Sequence, residues 1–343
     1  MNTSEILAKF EGQNEINVVF LGGSITEGCG ASEQSKCFAN MTGEWLKAVF
    51  GADRLNYYNM GIGGTPSKYG LIRFKRDVAS NNPHMVFIEF AVNDHNTDTR
   101  QYVEGLVRGL WALPTKPYVV FLYTTDEEYT TETKYFNEVA EYYGIPEISL
   151  KDALKKHLNG ANAREAGCLM DSVHPLDAGY KVYFEEMKRC LSLPEYYKRP
   201  QDKEKLIPET VSLSVDFIPA AGLKKSDGWC EFYIEDLDRK WMLGFPDDWF
   251  EFEFDGDVLA VEGGLHGNTC AFDVYVDGEI IGSGEPWYSD TFITNQLSLS
   301  FLTTDLANSH HKVRVVVRKS DKPERKSKHL CIYNVIAGKK FDI

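Results

Sequence analysis

Long apolar runs are missing from this chain. No window approaches the ~18 apolar residues that a membrane span needs, so no transmembrane helix is expected. The opening stretch MNTSEILAKFEGQNEINVVFLGG is interrupted by Glu5, Lys9, Glu11 and Glu15. A secretion signal needs a basic start followed by unbroken apolar sequence, so none is expected and the protein reads as cytoplasmic. Paired cysteines are missing too. The seven present (Cys29, Cys37, Cys168, Cys190, Cys230, Cys270 and Cys331) are scattered, odd in number and form no CxxC. That pattern excludes a disulfide framework or structural zinc site and points to reduced, buried thiols. Positive charge is in deficit, with 37 Lys and Arg against 51 Asp and Glu and a net charge of −14. Nucleic acid and anionic membrane surfaces would both repel such a protein, so neither is expected as a partner. Neutral sugars and small esters remain open as substrates. Internal repeats and low-complexity tracts are absent, and nothing in the sequence bears on oligomeric state.

What is present suggests two domains, since 343 residues exceed the usual limit of one hydrophobic core. Up to about residue 195, short apolar runs alternate with amphipathic stretches. Ile16–Leu21, Val86–Phe90 and Tyr118–Tyr123 read as strands, with Leu55–Tyr58 a weaker one. Helical patterns fall at roughly 36–50, 66–80, 100–112, 131–143 and 177–191. This alternation predicts a parallel sheet covered on both faces, with its active site at the carboxyl ends of the strands. From 196 to 208 (YYKRPQDKEKLIP) charge and proline take over, which reads as a linker. Residues 209–343 then alternate apolar with polar, in WCEFYIEDL, DWFEFEFDG, AFDVYVDGEIIGSG and HKVRVVVRKS, with LCIYNVIAG as a last strand. Asp277-Gly278 is a hairpin signal, and an antiparallel sandwich or jelly roll is expected.

Four short segments carry chemistry. In VVFLGGSITEG a strand runs into Gly22-Gly23-Ser24, leaving the serine on a tight turn. Gly-x-Ser-x-Gly is not met, because Thr26 stands where the last glycine belongs. In Asp171-Ser172-Val173-His174-Pro175 one turn of backbone brings a carboxylate to an imidazole. The carboxylate can then hold the ring's tautomer while the ring shuttles a proton. Asn59–Thr65, rich in glycine, follows the second strand, and Asn93-Asp94 follows the third. A glycine N–H and an asparagine amide there can stabilise an oxyanion. Each segment alone has an ordinary reading as a turn or helix cap; all four in order at strand ends are far harder to explain that way.

Together these blocks resemble the SGNH (GDSL-like) hydrolase superfamily over residues 15–192. The match is Ser24 in GGSIT, Gly64 in NMGIGGT, Asn93 in AVND, and Asp171 with His174 in DSVHP. The resemblance implies a doubly wound, flavodoxin-like α/β fold with Ser24 as nucleophile and Asp171 and His174 completing a triad. It also implies an oxyanion hole from the Ser24 N–H, the Gly64 N–H and the Asn93 side chain; Gly63 is an alternative to Gly64. The first block reads GGS where the family has GDS, and Ala91 stands where many members have glycine. No metal or other cofactor is required. Asp94 with His95, and His310 with His311, lack a metal ligand set, and the latter pair is expected on a loop before a strand.

The C-terminal region holds Trp229, Trp241, Trp249, Trp287, Tyr233, Tyr275 and Tyr288. Most read as sandwich core, whereas Trp287-Tyr288, after a Gly-Ser-Gly-Glu-Pro loop, is the expected exposed pair for stacking on a sugar. An SGNH domain followed by a sandwich module is similar to two-domain carbohydrate esterases, mannan O-acetylesterases in particular. That resemblance implies an acetylated oligosaccharide as substrate, mannan favoured over xylan. A lipid esterase or thioesterase on the same triad, or a binding protein with an inactive hydrolase domain, are the alternatives.

Overall fold

The chain divides into two units, Met1–Ser212 and Leu213–Phe341. The computed structural model describes residues 3–94, 96–234, 239–287, 293–323 and 325–341; His95 and Tyr288 lie outside the described residues.

In the first unit the apolar runs become parallel strands: β1 (Ile16–Gly22), β2 (Leu55–Gly61), β3 (Met85–Glu89), β4 (Tyr118–Tyr123) and β5 (Glu147–Ser149). Every residue of β1, β3 and β4 is buried, as expected where helices cover both faces of a sheet. The helices are α1 (Thr3–Ala8), α2 (Ser24–Glu27), α3 (Phe38–Phe50), α4 (Ser67–Ile72), α5 (Phe74–Asp77), α6 (Thr99–Ala112), α7 (Lys134–Tyr143), α8 (Leu150–His157) and α9 (Asp177–Leu191). The strand order is β2-β1-β3-β4-β5, so chain direction reverses between β1 and β3, where open α/β sheets form their crevice. Parallel register ends with Gly22 opposite Gly61 on one side and Glu89 on the other. The doubly wound α/β fold is as expected from the sequence.

Two local expectations are corrected. The single helix at 66–80 is two short helices broken at Arg73, whose backbone (φ −87°, ψ 5°) leaves the helical region. Its side chain turns inward to bond strand carbonyls, an option that helical periodicity does not register. The stretch 196–208 is not a free linker. Gln201 N–H donates to Tyr143 O (2.9 Å), Lys203 Nζ to Tyr142 O (2.7 Å), and Leu206 N–H to Glu104 Oε1 (2.6 Å). Its charges read as solvent-exposed chain, but its backbone amides and one ammonium find acceptors on α6 and α7. The division falls after Ser212 instead.

The second unit pairs β6 (Ser212–Pro219), β7 (Lys224–Lys225), β8 (Cys230–Ile234), β9 (Arg239–Gly244), β10 (Trp249–Gly256), β11 (Val258–His266), β12 (Ala271–Val276), β13 (Glu279–Gly284), β14 (Ile293–Thr303), β15 (Ser309–Arg318) and β16 (Leu330–Phe341). They form antiparallel sheets ordered β13-β12-β15-β10-β7 and β14-β11-β16-β9-β8, with β6 added on β16. Phe250, Phe252, Phe254, Val313, Val315 and Val317 from one sheet pack with Leu259, Val261, Ile332 and Val335 from the other. That is the sandwich predicted from period-2 alternation. Asp277 and Gly278 turn the β12–β13 hairpin at φ +53° and +90°, the left-handed region such turns require. His310 and His311 are not on a loop but inside β15. His311 is buried, with Nδ1 2.7 Å from Asp277 Oδ2 and Nε2 2.7 Å from Ala307 O, so polar partners replace the solvent that two adjacent histidines suggested.

Candidate active site

Ser24 opens α2 directly beyond β1, the position at which a strand delivers a side chain to the carboxyl edge of the sheet. It is buried, 8% exposed. Its Oγ lies 2.8 Å from His174 Nε2. On the other side of the ring, His174 Nδ1 lies 2.7 Å from Asp171 Oδ2. The three side chains form one continuous hydrogen-bonded chain across 150 residues of sequence.

Local backbone explains the Asp171–His174 half. Asp171 Oδ1 accepts the Val173 N–H and the His174 N–H, both at 2.9 Å. One carboxylate oxygen therefore organises the turn while the other faces the imidazole. Burial raises the Asp171 carboxyl, but the bonds from Val173 and His174 prevail and hold it below the usual carboxylate range. The His174 imidazole is pushed up to about 9, first by the Cys29 thiol beside it; burial opposes this, and Asp171 adds to it. Cys29, which the sequence presented only as a scattered thiol, is thus part of the surroundings of the ring.

The loop after the serine is held to the start of α9. Tyr180 Oη donates to Ile25 O (3.1 Å) and Cys29 O (2.8 Å), and Ser32 donates through both N–H and Oγ to the Asp177 carboxylate (2.8 and 2.7 Å). The helix that begins three residues past His174 therefore also fixes the segment that follows Ser24.

The other two blocks flank the same turn. A Cβ built on Gly23 would stand 2.5 Å from Asn93 Oδ1 and at an ordinary 3.5 Å from Thr65 O, so the glycine makes room for the Asn93 side chain. Gly64 has φ +69°, a backbone state other residues resist, and Thr65 Oγ1 closes that turn on Ile62 O at 2.7 Å. Asn93 N–H donates to Phe90 O at 2.9 Å, while its buried Oδ1 has no hydrogen-bond partner. Ser24, Asn93, and the Gly64 turn are therefore brought together with Asp171 and His174. Asp94 is instead structural, accepting the Ser67 N–H at 3.2 Å.

Two buried charged side chains beneath the site were not identified from the sequence. Glu89, at the end of β3, accepts from Thr26 Oγ1 (2.8 Å) and Thr124 Oγ1 (2.6 Å), and burial pushes its carboxyl upward against those two bonds. Arg73 is fully buried. A charged residue inside an apolar run, as in MVFIEF and GLIRF, was the available signal for both.

In the second unit Trp287 is half-buried, with the Arg325 guanidinium 3.9 Å above its ring and that guanidinium paired with Glu285 at 2.5 Å. Trp229 and Trp241 are core residues. Trp249 lies under Arg314 at 4.3 Å and near Lys224 at 5.6 Å. Among the described residues, no group of three or more His, Cys, Asp or Glu side chains is arranged to hold a metal ion, and no helix is long and apolar enough to cross a membrane.

No curated protein sequence matches the chain. Among solved structures it resembles a two-domain esterase (CEX) active on acetylated mannans, with 22% identity and a TM-score of 0.76 over 97% of this chain and 94% of that one. A structure of such an esterase co-crystallized with mannopentaose matches with 22% identity and a TM-score of 0.77, over 99% and 95%. At these identities the likeness is one of fold. The model of the GDSL-like Lipase/Acylhydrolase family matches residues 20–182, the stretch that contains Ser24, Gly64, Asn93, Asp171 and His174. Over this segment the chain is similar to the GDSL-like lipase/acylhydrolase family.

Proposed function

We propose that this protein is a carbohydrate O-acetylesterase that removes acetyl groups from plant-polysaccharide oligosaccharides, mannan-derived ones first and xylan-derived ones next. The observation that carries the reading is the unbroken Ser24–His174–Asp171 hydrogen-bond chain at the sheet's switch point. The two-domain fold it shares with an esterase active on acetylated mannans supports the choice of substrate.

In the proposed reaction His174 Nε2 takes the Ser24 proton as Oγ attacks the acetyl carbonyl. Asp171 keeps Nδ1 protonated and stabilises the imidazolium that forms. The carbonyl oxygen becomes an oxyanion, for which the Ser24 and Gly64 N–H groups and the Asn93 amide are the proposed donors. The sugar hydroxyl leaves with the proton from Nε2, giving acetyl-Ser24. Water then attacks that ester with His174 again as base, releasing acetate and restoring the serine.

The test is mass spectrometry of acetylated manno-, xylo- and pectic oligosaccharides before and after treatment, beside p-nitrophenyl esters of increasing chain length. Loss of acetyl masses from manno-oligosaccharides, with p-nitrophenyl acetate preferred, supports the reading. Preference for octanoyl esters with no loss from any sugar sinks it in favour of a lipid esterase.

A further inference from the structure

Arg73, at the break between α4 and α5, is fully buried. Its Nη1 donates to Met60 O at 2.7 Å and to Asp77 Oδ2 at 2.8 Å, and its Nη2 donates to Gly22 O at 2.9 Å. Its Nε has no partner. The guanidinium also faces the buried Tyr69 ring, 5.8 Å from its centre. The Asp77 carboxylate it bonds is shared with Arg76, which bonds it at 2.5 and 3.0 Å.

The position of the two carbonyls gives this arrangement its meaning. β1 and β2 end their pairing at Gly22 and Gly61, with one further bond from Ile62 N–H to Gly22 O at 3.1 Å. Beyond that point the chains part, β1 into the Ser24 turn and β2 into the Gly64 turn. Gly22 lies two residues before the serine, and Met60 four before Gly64. One planar fork thus grips the last carbonyl of β1 and the second-to-last of β2, and a lysine ammonium cannot match that geometry. Burying a guanidinium against a shared carboxylate costs several kcal/mol in desolvation. An apolar side chain would fill the space without that cost, but it could not fix the spacing of the two strand ends.

We propose that Arg73 is a positioning residue for the oxyanion hole, setting the distance between the Ser24 turn and the Gly64 turn. This rests on the serine-esterase reading above, and the test separates the two. Arg73→Lys and Arg73→Met are assayed for kcat and KM on p-nitrophenyl acetate. A small boronic acid, which becomes a tetrahedral anion on an active serine, is titrated against each, and Tm is recorded. The expected result for R73K is a fall in kcat of about 10- to 100-fold, with KM changed less than about threefold. The boronic acid should lose affinity by a similar factor, and Tm should move little; R73M should show the larger loss. Unchanged kcat and boronic acid affinity in R73K overturn the inference, as does failure of both variants to fold, which would make Arg73 a residue of the fold alone. Ser24→Ala runs alongside. If it retains turnover, the serine reading itself fails; if it is inactive while R73K behaves as wild type, only the role of Arg73 is lost.

Discussion

Glu104 in the first unit and Glu262 in the second are both completely buried, but they are bonded very differently. Glu104 accepts from Tyr143 Oη at 2.5 Å, Leu206 N–H at 2.6 Å, Ile207 N–H at 2.9 Å and Thr210 Oγ1 at 2.7 Å. Among the described residues Glu262 accepts only from Asn334 Nδ2, at 2.5 Å, and its Oε1 has no partner. Burial pushes the Glu262 carboxyl up to about 7, with Asn334 opposing. An acid with four donors is an anchor; an acid with one is a burden whenever it ionises. At the site of the first unit the buried Glu89 and Arg73 likewise have two or more partners each within hydrogen-bond distance. Partners and depth act together: burial still raises the Glu89 carboxyl against its two bonds.

The largest effect that would test this contrast lies at the site. Ser24→Ala should lower kcat/KM by about 10⁴-fold or more without moving Tm, measured on p-nitrophenyl acetate. Near-normal turnover would remove the chemistry from this unit. Next in size, Glu104→Ala should strand four donors and destabilise the first unit by about 3 kcal/mol or more, seen as a lower denaturation midpoint. An unchanged midpoint would show that the four bonds contribute nothing net. Glu262→Gln tests the opposite case. Because the folded carboxyl sits above its unfolded value, wild-type stability is fully present below about pH 4.5 and declines as pH rises toward 7. The variant should lack that decline, gaining about 2–3 kcal/mol on wild type across this window, read from Tm at pH 4.5 and pH 8. Parallel curves for the two proteins would contradict the assignment.

The smallest expected effect is a displaced pH profile. His174 accepts the serine proton only when neutral, so activity should fall as pH drops through its value of about 9. Since the Cys29 thiol is the first cause of that elevation, Cys29→Ala should move the acid limb of kcat/KM down toward the usual histidine range near ~6.5. An unmoved limb would show that Asp171 sets it instead.

Legibility from sequence followed the physics of each element. Strands β1, β3 and β4 stood out because apolar runs bounded by turn residues have few other readings. β11 was not read, because it is buried along most of its length and therefore has no alternation to detect. In the site, residues held by local backbone were readable. Asp171 and His174 share one turn, Gly23-Ser24 ends a strand, and Gly64 and Asn93 lie in loops just past strands. Arg73, Glu89, Cys29 and Tyr180 were not, since each acts through a partner distant in sequence, as Tyr180 does across about 150 residues to Cys29 and Ile25.

By itself, the sequence determined the alternation that builds a parallel sheet, the change to period-2 alternation that builds a sandwich, and the order in which Ser24, Gly64, Asn93 and His174 arrive. These depend on local periodicity and on backbone angles that a few residue types permit. Tertiary structure alone decided that the four meet at one strand-end crevice, that a thiol sits beside the imidazole, and that Arg73 grips two strand ends. Such relations depend on hydrogen-bond partners brought together by packing, and a buried polar group acquires its role only from the groups that satisfy it.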